Sequence, residues 1–176
     1  MKYICSMIKR EMSSTLKKVA KEYPVVLVHG PRQSGKTTIC KAVFSDKPYV
    51  SMENPDTRSR ALEDPRGFLA DFPNGVILDE IQRTPNLLSY MQQIVDEKKQ
   101  NGFFILTGSD NFSLQQITSQ SLAGRIALLT LLPFSMKEIK SETWLTGTDK
   151  RILYGGYPRL ITETPDRTFF FKNYSG

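Results

Sequence analysis

Short apolar runs alternate with helix-compatible stretches along most of this chain. Five of these runs are predicted as strands, at residues 25–28, 48–52, 75–79, 103–106 and 126–132. The run at 75–79 contains an unbroken series of apolar residues, which is typical of a strand buried on both faces. Strands that alternate with helices pair in parallel through right-handed crossovers. The pattern therefore predicts an α/β fold built on a parallel sheet.

Helical spacing of apolar side chains predicts the connecting helices. In the first helix the apolar positions recur at intervals of four, four and three residues, at Ile8, Met12, Leu16 and Val19. Pro24 ends this helix, because a proline disfavours helical geometry in the residue before it. Further helices are predicted at residues 37–44, 55–63, 87–99 and 113–122. Residues 64–67 are predicted as a turn, followed by a short apolar turn at 68–69.

Length and composition are those of an ordinary globular protein. The chain has 176 residues, of which 39% are apolar and 24% are charged. One domain of this size has enough chain to bury a core. No apolar stretch approaches the length needed to span a bilayer, and the N-terminus lacks the apolar region of a secretory signal. We therefore expect a cytoplasmic protein with no membrane partner.

The chain has few residues that could form a zinc site or a disulfide framework. Cys5 and Cys40 lie on opposite sides of the segment around residue 30, and His29 is the single histidine. A zinc site is therefore excluded by ligand number. Both cysteines are predicted to be reduced thiols, as in a cytosolic protein.

The net charge of +6 is concentrated near the N-terminus. Residues 1–24 contain six basic side chains and two acidic ones, so this arm supplies four of the six excess charges. A basic arm of this kind can contact nucleic acid or an anionic partner. The preferred interpretation is the solvated face of an amphipathic helix, because lysine-rich faces are common on surface helices.

Residues 30–37 read Gly-Pro-Arg-Gln-Ser-Gly-Lys-Thr, which fits G-x-x-x-x-G-K-[ST] between a predicted strand and a predicted helix. That context is what a phosphate-binding loop requires. Gly30 and Gly35 permit backbone angles that turn successive N–H groups toward phosphate oxygens, and the helix start adds its free N–H groups. Lys36 is expected to be an exposed cation that reaches the β- and γ-phosphates, and Thr37 is expected to ligate Mg²⁺. The pattern predicts nucleoside triphosphate binding.

A carboxylate pair follows the third predicted strand. Asp79 ends that strand 43 residues after Lys36, and Glu80 comes next. The carboxyl ends of parallel strands meet at one edge of the sheet, which brings Asp79 beside the phosphate loop. Asp79 is predicted to hold the magnesium shell, and Glu80 is predicted to polarise the attacking water as general base. GTPases carry Asp-x-x-Gly at this strand end and Asn-Lys-x-Asp later, and this chain has neither there, so ATP is the predicted nucleotide.

Two further groups are candidates for the reaction. Thr107 and Ser109 end the fourth predicted strand, and alternate strand residues point the same way, so either hydroxyl can orient the attacking water. Ser109 is preferred because it lies nearer the carboxyl end of the strand. Arg125 follows a glycine after the predicted helix at 113–122 and is expected at the subunit edge. There its guanidinium would neutralise phosphoryl charge in a neighbouring molecule, unless it is an ordinary surface arginine.

Eight segments of the chain resemble, in order, the prokaryotic AAA-type ATPases that carry a C-terminal domain known as DUF4143. The first four are Gly-Pro-Arg-Gln-Ser-Gly-Lys-Thr-Thr at 30–38, Glu-Asn-Pro-Asp-Thr-Arg at 53–58, Asp-Pro-Arg-Gly-Phe-Leu at 64–69 and Leu-Asp-Glu-Ile-Gln-Arg at 78–83. The others are Leu-Thr-Gly-Ser at 106–109, Ser-Leu-Ala-Gly-Arg at 121–125, Leu-Pro-Phe-Ser at 132–135 and Gly-Gly-Tyr-Pro at 155–158. Together they cover nearly the whole chain and are specific as a set.

The resemblance implies a three-layer α/β/α P-loop NTPase with a five-stranded parallel sheet in the order 5-1-4-3-2. It places ATP on Gly30, Pro31, Arg32, Gln33, Ser34, Gly35, Lys36, Thr37 and Thr38. It places Mg²⁺ on Thr37 and Asp79, the catalytic carboxylate on Glu80, the sensor on the hydroxyls of 107–109 and an arginine-finger-like role on Arg125.

The same resemblance divides the chain into three parts. These are an amphipathic helix at 1–24, an ATPase core at 25–132 and a partial helical lid or linker at 133–176. Members of the family continue for about as long again, so the chain is expected to be a truncated or split member. The missing half would hold the effector domain and a lid arginine. Nucleotide binding is therefore expected in full, and turnover is expected to be weak.

The leading functional prediction is ATP binding with Mg²⁺-dependent hydrolysis, which drives a conformational switch for a partner or for a C-terminal effector domain. The predicted partners are ATP, a second copy of the chain, and a protein partner or a separately encoded C-terminal half. The alternative is a non-hydrolysing, nucleotide-gated interaction module, or a nucleic-acid-binding module that uses residues 1–24. A small-molecule kinase is disfavoured, because Arg125, Arg151 and Arg159 are too scattered to form a basic lid.

Overall fold

A central sheet of five parallel strands organises the protein. The computed structural model describes residues 8–109, 121–139, 147–163 and 166–174. The strands are β1 (Val25–His29), β2 (Tyr49–Ser51), β3 (Val76–Asp79), β4 (Phe104–Gly108) and β5 (Ile126–Thr130). Their spatial order is β2-β3-β4-β1-β5, and all four neighbouring pairs are parallel. This confirms the predicted order 5-1-4-3-2, read from the opposite edge.

Helices cover both faces of the sheet. Before the last strand they are α1 (Met12–Val19), α2 (Lys36–Val43), α3 (Pro55–Glu63), α4 (Pro65–Ala70) and α5 (Leu87–Lys98). A 3₁₀ turn, Ile81–Arg83, follows β3. After β5 come α6 (Thr148–Tyr154), α7 (Pro158–Thr162) and α8 (Arg167–Tyr174), within the segment predicted to be helical. None of the helices in the described ranges is long and apolar enough to cross a membrane.

The alternation of side chains along the strands forms two cores. On one face, Val26 and Val28 of β1 pack with Leu16 of α1 and Ile39 of α2. On the other face, the neighbouring residues of β1 join the apolar side chains of α3, α4 and α5. Every residue of β1 is buried, as expected for a central strand covered on both sides. The result is the predicted three-layer α/β/α arrangement.

The predicted turn at 64–67 is wrong, because the chain forms helix α4 there. Asp64 caps this helix: its side-chain Oδ1 accepts a hydrogen bond from the Gly67 N–H at 2.9 Å. Pro65 occupies the first helical turn, where its missing N–H costs nothing. The Asp-Pro pair therefore starts a helix rather than a turn.

Helix α1 is shorter than predicted, because it starts at Met12 and leaves Ile8 outside it. Most of the remaining boundaries differ little from the predictions. Strand β4 continues through Gly108, two residues beyond its predicted end, and β5 ends at Thr130 rather than at residue 132. The helix predicted at 113–122 lies almost entirely outside the described residues. Cys5 also lies outside them, whereas Cys40 is a free thiol buried in α2. Burial raises the pKa of the Cys40 thiol to about 12, so it is uncharged.

Candidate functional site

The loop between β1 and α2 has the backbone form that its glycines were predicted to allow. Gly30 has φ +145°, and a methyl group built on it would lie 2.2 Å from the carbonyl oxygen of Leu131. Gly35 caps α2 in the left-handed region, with φ +92°. A side chain at Gly30 would therefore collide with the backbone that follows β5. The close approach fixes the loop against this edge of the sheet.

Lys36 is buried, with 5% of its surface exposed, so the expectation of an exposed cation is wrong. Its ammonium group donates hydrogen bonds to the carbonyl oxygens of Gly30 and Pro31, at 2.9 and 2.8 Å. The loop thus encloses the Lys36 ammonium group, which was predicted to be exposed to solvent. Burial lowers the pKa of Lys36, and the nearby carboxylates of Glu80 and Asp79 oppose this shift.

Asp79 holds the junction between α2, β2 and β4. Its Oδ1 accepts hydrogen bonds from the Thr37 hydroxyl, at 2.8 Å, and from the Thr107 hydroxyl. Its Oδ2 accepts one from the phenol of Tyr49, at 2.9 Å. Burial and the negative charge of Asp79 raise the pKa of Tyr49 to about 12, so the phenol stays a donor. The carboxylate of Asp79, 7% exposed, is therefore held in one orientation beside Thr37.

Glu80 lies next to this junction in a left-handed backbone conformation, with φ +57°. Its Oε2 accepts a hydrogen bond from the Ser109 hydroxyl at 2.8 Å and another from the Gln82 amide. The Gln82 amide also donates to Ser109 Oγ at 3.2 Å, and the Glu80 N–H donates to Thr107 Oγ1 at 3.2 Å. The two candidate hydroxyls thus have different partners: Thr107 contacts Asp79, and Ser109 contacts the Glu80 carboxylate.

Arg125 lies near the amino ends of the strands, whereas the phosphate loop lies at their carboxyl ends. Its carbonyl oxygen accepts a hydrogen bond from the N–H of Val25, the first residue of β1, at 3.2 Å. At about 3.3 Å per strand residue, this puts it roughly 16 Å from Gly30. Its guanidinium makes two hydrogen bonds with the carboxylate of Asp96 on α5, at 2.5 and 2.9 Å. Arg125 therefore cannot serve the phosphate loop of its own molecule from this position.

A cavity of about 980 Å³ opens beside the loop. Residues from both ends of the described chain form its walls, and they include Arg10, Lys17, Thr37, Glu80, Phe134 and Arg159. Gln33 and Thr38 of the predicted loop also line it, whereas Ser34 is fully buried beneath the surface. Arg32 is exposed, and its carbonyl oxygen lies 3.4 Å from the Tyr174 hydroxyl. The cavity mixes cationic and apolar walls, as a phosphate-bearing aromatic ligand requires.

Three residues around the phosphate loop and the Asp79–Glu80 pair were not predicted from the sequence. Tyr49 is exposed on an edge strand, and only the parallel pairing of Ser51 with Asp79 brings its phenol to the carboxylate. Gln82 lies two residues after Glu80, a spacing that by itself carries no signal. Arg159, dismissed as scattered, lies on α7 at the cavity wall and pairs with Glu163 at 2.9 Å.

Two oxygen groups beside the phosphate loop suit a hard divalent cation. The Thr37 hydroxyl and the Asp79 carboxylate lie 2.8 Å apart, and oxygen donors are what Mg²⁺ prefers. Magnesium usually binds to only one or two protein oxygens, since it keeps several waters and substrate phosphates as ligands. The donor set present here therefore fits Mg²⁺, and Thr37 and Asp79 are the residues that could hold it.

The sequence of the chain matches a known protein family. The model of the family described as AAA domain matches residues 22–140. An uncharacterized protein of Mycobacterium tuberculosis and one of Mycobacterium bovis are each 33% identical to the chain over 161 residues. The match covers 90% of the chain and 35% of each relative, so the chain spans about a third of their length.

Solved structures share the fold at low sequence identity. A Walker-type ATPase of Pyrococcus abyssi is 16% identical with a TM-score of 0.59, over 96% of this chain and 71% of that one. DnaA of Aquifex aeolicus, solved bound to AMPPCP, is 16% identical with a TM-score of 0.62, over 96% of this chain and 65% of that one. At this identity the likeness concerns the fold.

The close approach at Gly30 makes a stability prediction. Gly30→Ala should lower the free energy of unfolding by roughly 3 kcal/mol, because the new methyl group would need the Leu131 backbone to move. Gly124→Ala is the matched control, since Gly124 has φ +75° but nothing within 4 Å of the added methyl. It should cost about 1 kcal/mol, the backbone strain alone. Urea unfolding of both variants measures the difference, and equal losses would contradict the proposed collision.

Proposed function

The chain belongs to the AAA domain family, and on that premise we propose that it binds ATP with Mg²⁺ and hydrolyses it. The observation that carries the proposal is that Lys36, Thr37 and Glu80 line one cavity, while the Asp79 carboxylate accepts a hydrogen bond from Thr37. These groups come from a phosphate loop and from the strand end beside it. The AMPPCP-bound structure of DnaA, which shares the fold, supports an adenine nucleotide as the ligand.

Each of these residues has a task in the proposed reaction. The backbone N–H groups at the start of α2 and the Lys36 ammonium would bind the β- and γ-phosphates. Mg²⁺, held by Thr37 and Asp79, would neutralise charge on the phosphates. Tyr49 and Thr107 would keep the Asp79 carboxylate aimed at Thr37, since both donate to it. Glu80 would take the proton of the water that attacks the γ-phosphorus, while ADP leaves.

Ser109 would control when Glu80 is available. In this structure the Ser109 hydroxyl and the Gln82 amide both donate hydrogen bonds to Oε2 of Glu80. While these two donors bind Oε2, a water molecule has less access to that oxygen. Opening of this contact would release Glu80 for catalysis. We propose Ser109 as the hydroxyl that orients both the water and the base, with Thr107 supporting Asp79.

Hydrolysis would drive a conformational switch in a partner or in an effector domain. The two mycobacterial relatives contain much sequence beyond the matched part, in which an effector could lie. The walls of the cavity include residues between 8 and 17 and residues of α7 as well as the phosphate loop, so phosphate loss would alter contacts with both of these segments. Two basic side chains of the described N-terminal residues, Lys9 and Lys17, line this cavity.

Removal of the Lys36 charge should abolish nucleotide binding. In Lys36→Met the stem volume is kept but no ammonium group remains to contact phosphate, so Mg-ATP affinity should fall by about a hundredfold or more. Lys18→Met on the exposed face of α1 is the control and should bind normally. Isothermal titration with Mg-ATP, together with circular dichroism of both variants, measures this. Unchanged affinity in folded Lys36→Met would exclude the site.

Loss of the general base should separate binding from turnover. Glu80→Gln keeps the hydrogen bond to Ser109 but cannot accept a proton, so turnover should fall about a hundredfold or more. Affinity for Mg-ATP should stay close to that of the wild type. Phosphate release and calorimetric titration give the two quantities, with Glu97→Gln on the exposed side of α5 as control. A wild type without turnover would favour the non-hydrolysing, nucleotide-gated module.

Arg125 tests whether the reaction needs two molecules. Because Arg125 lies far from its own phosphate loop, we propose that it acts on the nucleotide of a neighbouring copy. Arg125→Ala should then lose up to about 10³-fold in turnover with little change in affinity. A mixture of Arg125→Ala and Glu80→Gln should regain activity, since some interfaces combine both intact residues. If the mixture stays inactive while both variants assemble, Arg125 has no role in trans.

A further inference from the structure

Arg10 connects three separate parts of the described structure, and the proposed reaction gives it no role. Its guanidinium donates to the carbonyl oxygen of Ser34 at 2.7 Å and to that of Leu132 at 2.6 Å. Its Nε donates to Oε1 of Glu138 at 2.9 Å. The ring of Phe134 lies 4.7 Å from the guanidinium carbon. One side chain thus joins the N-terminal segment, the phosphate loop and the segment after β5.

The Glu138 carboxylate that pairs with Arg10 is buried and firmly held. The side chains of Arg10 and Glu138 are 10% and 5% exposed, so the ion pair is largely desolvated. Glu138 also accepts the N–H groups of Glu11 and Ser135, at 2.8 and 2.7 Å. Burial alone would raise the pKa of Glu138, but these hydrogen bonds and Arg10 outweigh it and lower the pKa. The carboxylate therefore stays charged and fixes Arg10 in place.

The contact with Ser34 has a consequence for the loop. The Ser34 carbonyl and the Gly35 N–H belong to one trans peptide unit, in which C=O and N–H point in opposite directions. A carbonyl held toward Arg10 therefore turns the Gly35 N–H the other way. Gly35 caps α2, and the N–H groups at a helix start have no partner within the helix. The orientation of these N–H groups decides whether they can donate hydrogen bonds to a phosphate oxygen.

We propose that Arg10 is a positioning residue that fixes the Ser34–Gly35 peptide so that the Gly35 N–H faces the nucleotide phosphates. This inference rests on the proposed function. The planar guanidinium holds Ser34, Leu132 and Glu138 at once, so the orientation of this peptide depends on the docking of residues 132–138 against the loop. Phosphate binding and docking of that segment then stabilise each other.

Amide NMR of the full chain, titrated with Mg-ADP, tests the proposal. In the wild type the Gly35 amide proton should move downfield as Mg-ADP binds, because it gains a charged acceptor. In Arg10→Lys, which keeps the charge but not the three-way fork, this shift should shrink and Mg-ADP affinity should fall about tenfold. Arg60→Lys is the matched control, since Arg60 pairs with Asp71 on the exposed surface. It should match the wild type.

The outcomes separate this inference from the function it rests on. A wild type that binds no Mg-ADP refutes the proposed function and the Arg10 role with it. A wild type that binds Mg-ADP without moving the Gly35 amide overturns the Arg10 role alone, whether or not Arg10→Lys folds. Equal affinity and equal Gly35 shifts in Arg10→Lys and the wild type overturn it as well. Loss of thermal stability without either effect would make Arg10 a structural clamp only.

Discussion

In the parallel sheet, Val28 of β1 lies beside Thr107 of β4, and Leu78 of β3 lies beside Leu106. This shared register brings the ends of three strands to one edge. The phosphate loop leaves from β1, the carboxylates from β3 and the hydroxyls from β4. Had β4 not separated β1 from β3, Thr107 could not bond Asp79 while Asp79 bonds Thr37. The strand order thus determines which chemical groups meet.

Placing these charges at a buried edge requires that each has a partner. Lys36 and Asp79 are 5% and 7% exposed, and an unpaired charge at such depth would be costly. Loop carbonyls satisfy the ammonium group, and three hydroxyls satisfy the Asp79 carboxylate. Both charges therefore have polar partners within the protein, and under the proposed function a nucleotide with its metal would exchange some of these contacts for phosphate and metal contacts.

The sequence was sufficient wherever local pattern and strand direction decide the structure. The loop glycines, Asp79, Glu80 and the position of each described strand follow from apolar runs and the residues at their ends. It failed where a contact joins distant segments. Tyr49 reaches Asp79 only through strand pairing. The burial of Lys36 is a different case, because the carbonyls that bind it belong to its own loop and the sequence does not show how that loop closes. The start of α4 at Asp64-Pro65 is a local signal that the sequence does contain.

Two arginines at the cavity wall, Arg10 and Arg159, differ in how they are held. They lie about 150 residues apart in sequence, yet both border the space beside the phosphate loop. Arg10 is locked by three directed contacts, whereas Arg159 has a single exposed ion pair with Glu163. An exposed pair of this kind contributes little stability, so Arg159 is held much less firmly than Arg10. The two cations that border the cavity thus differ in how firmly the protein holds them.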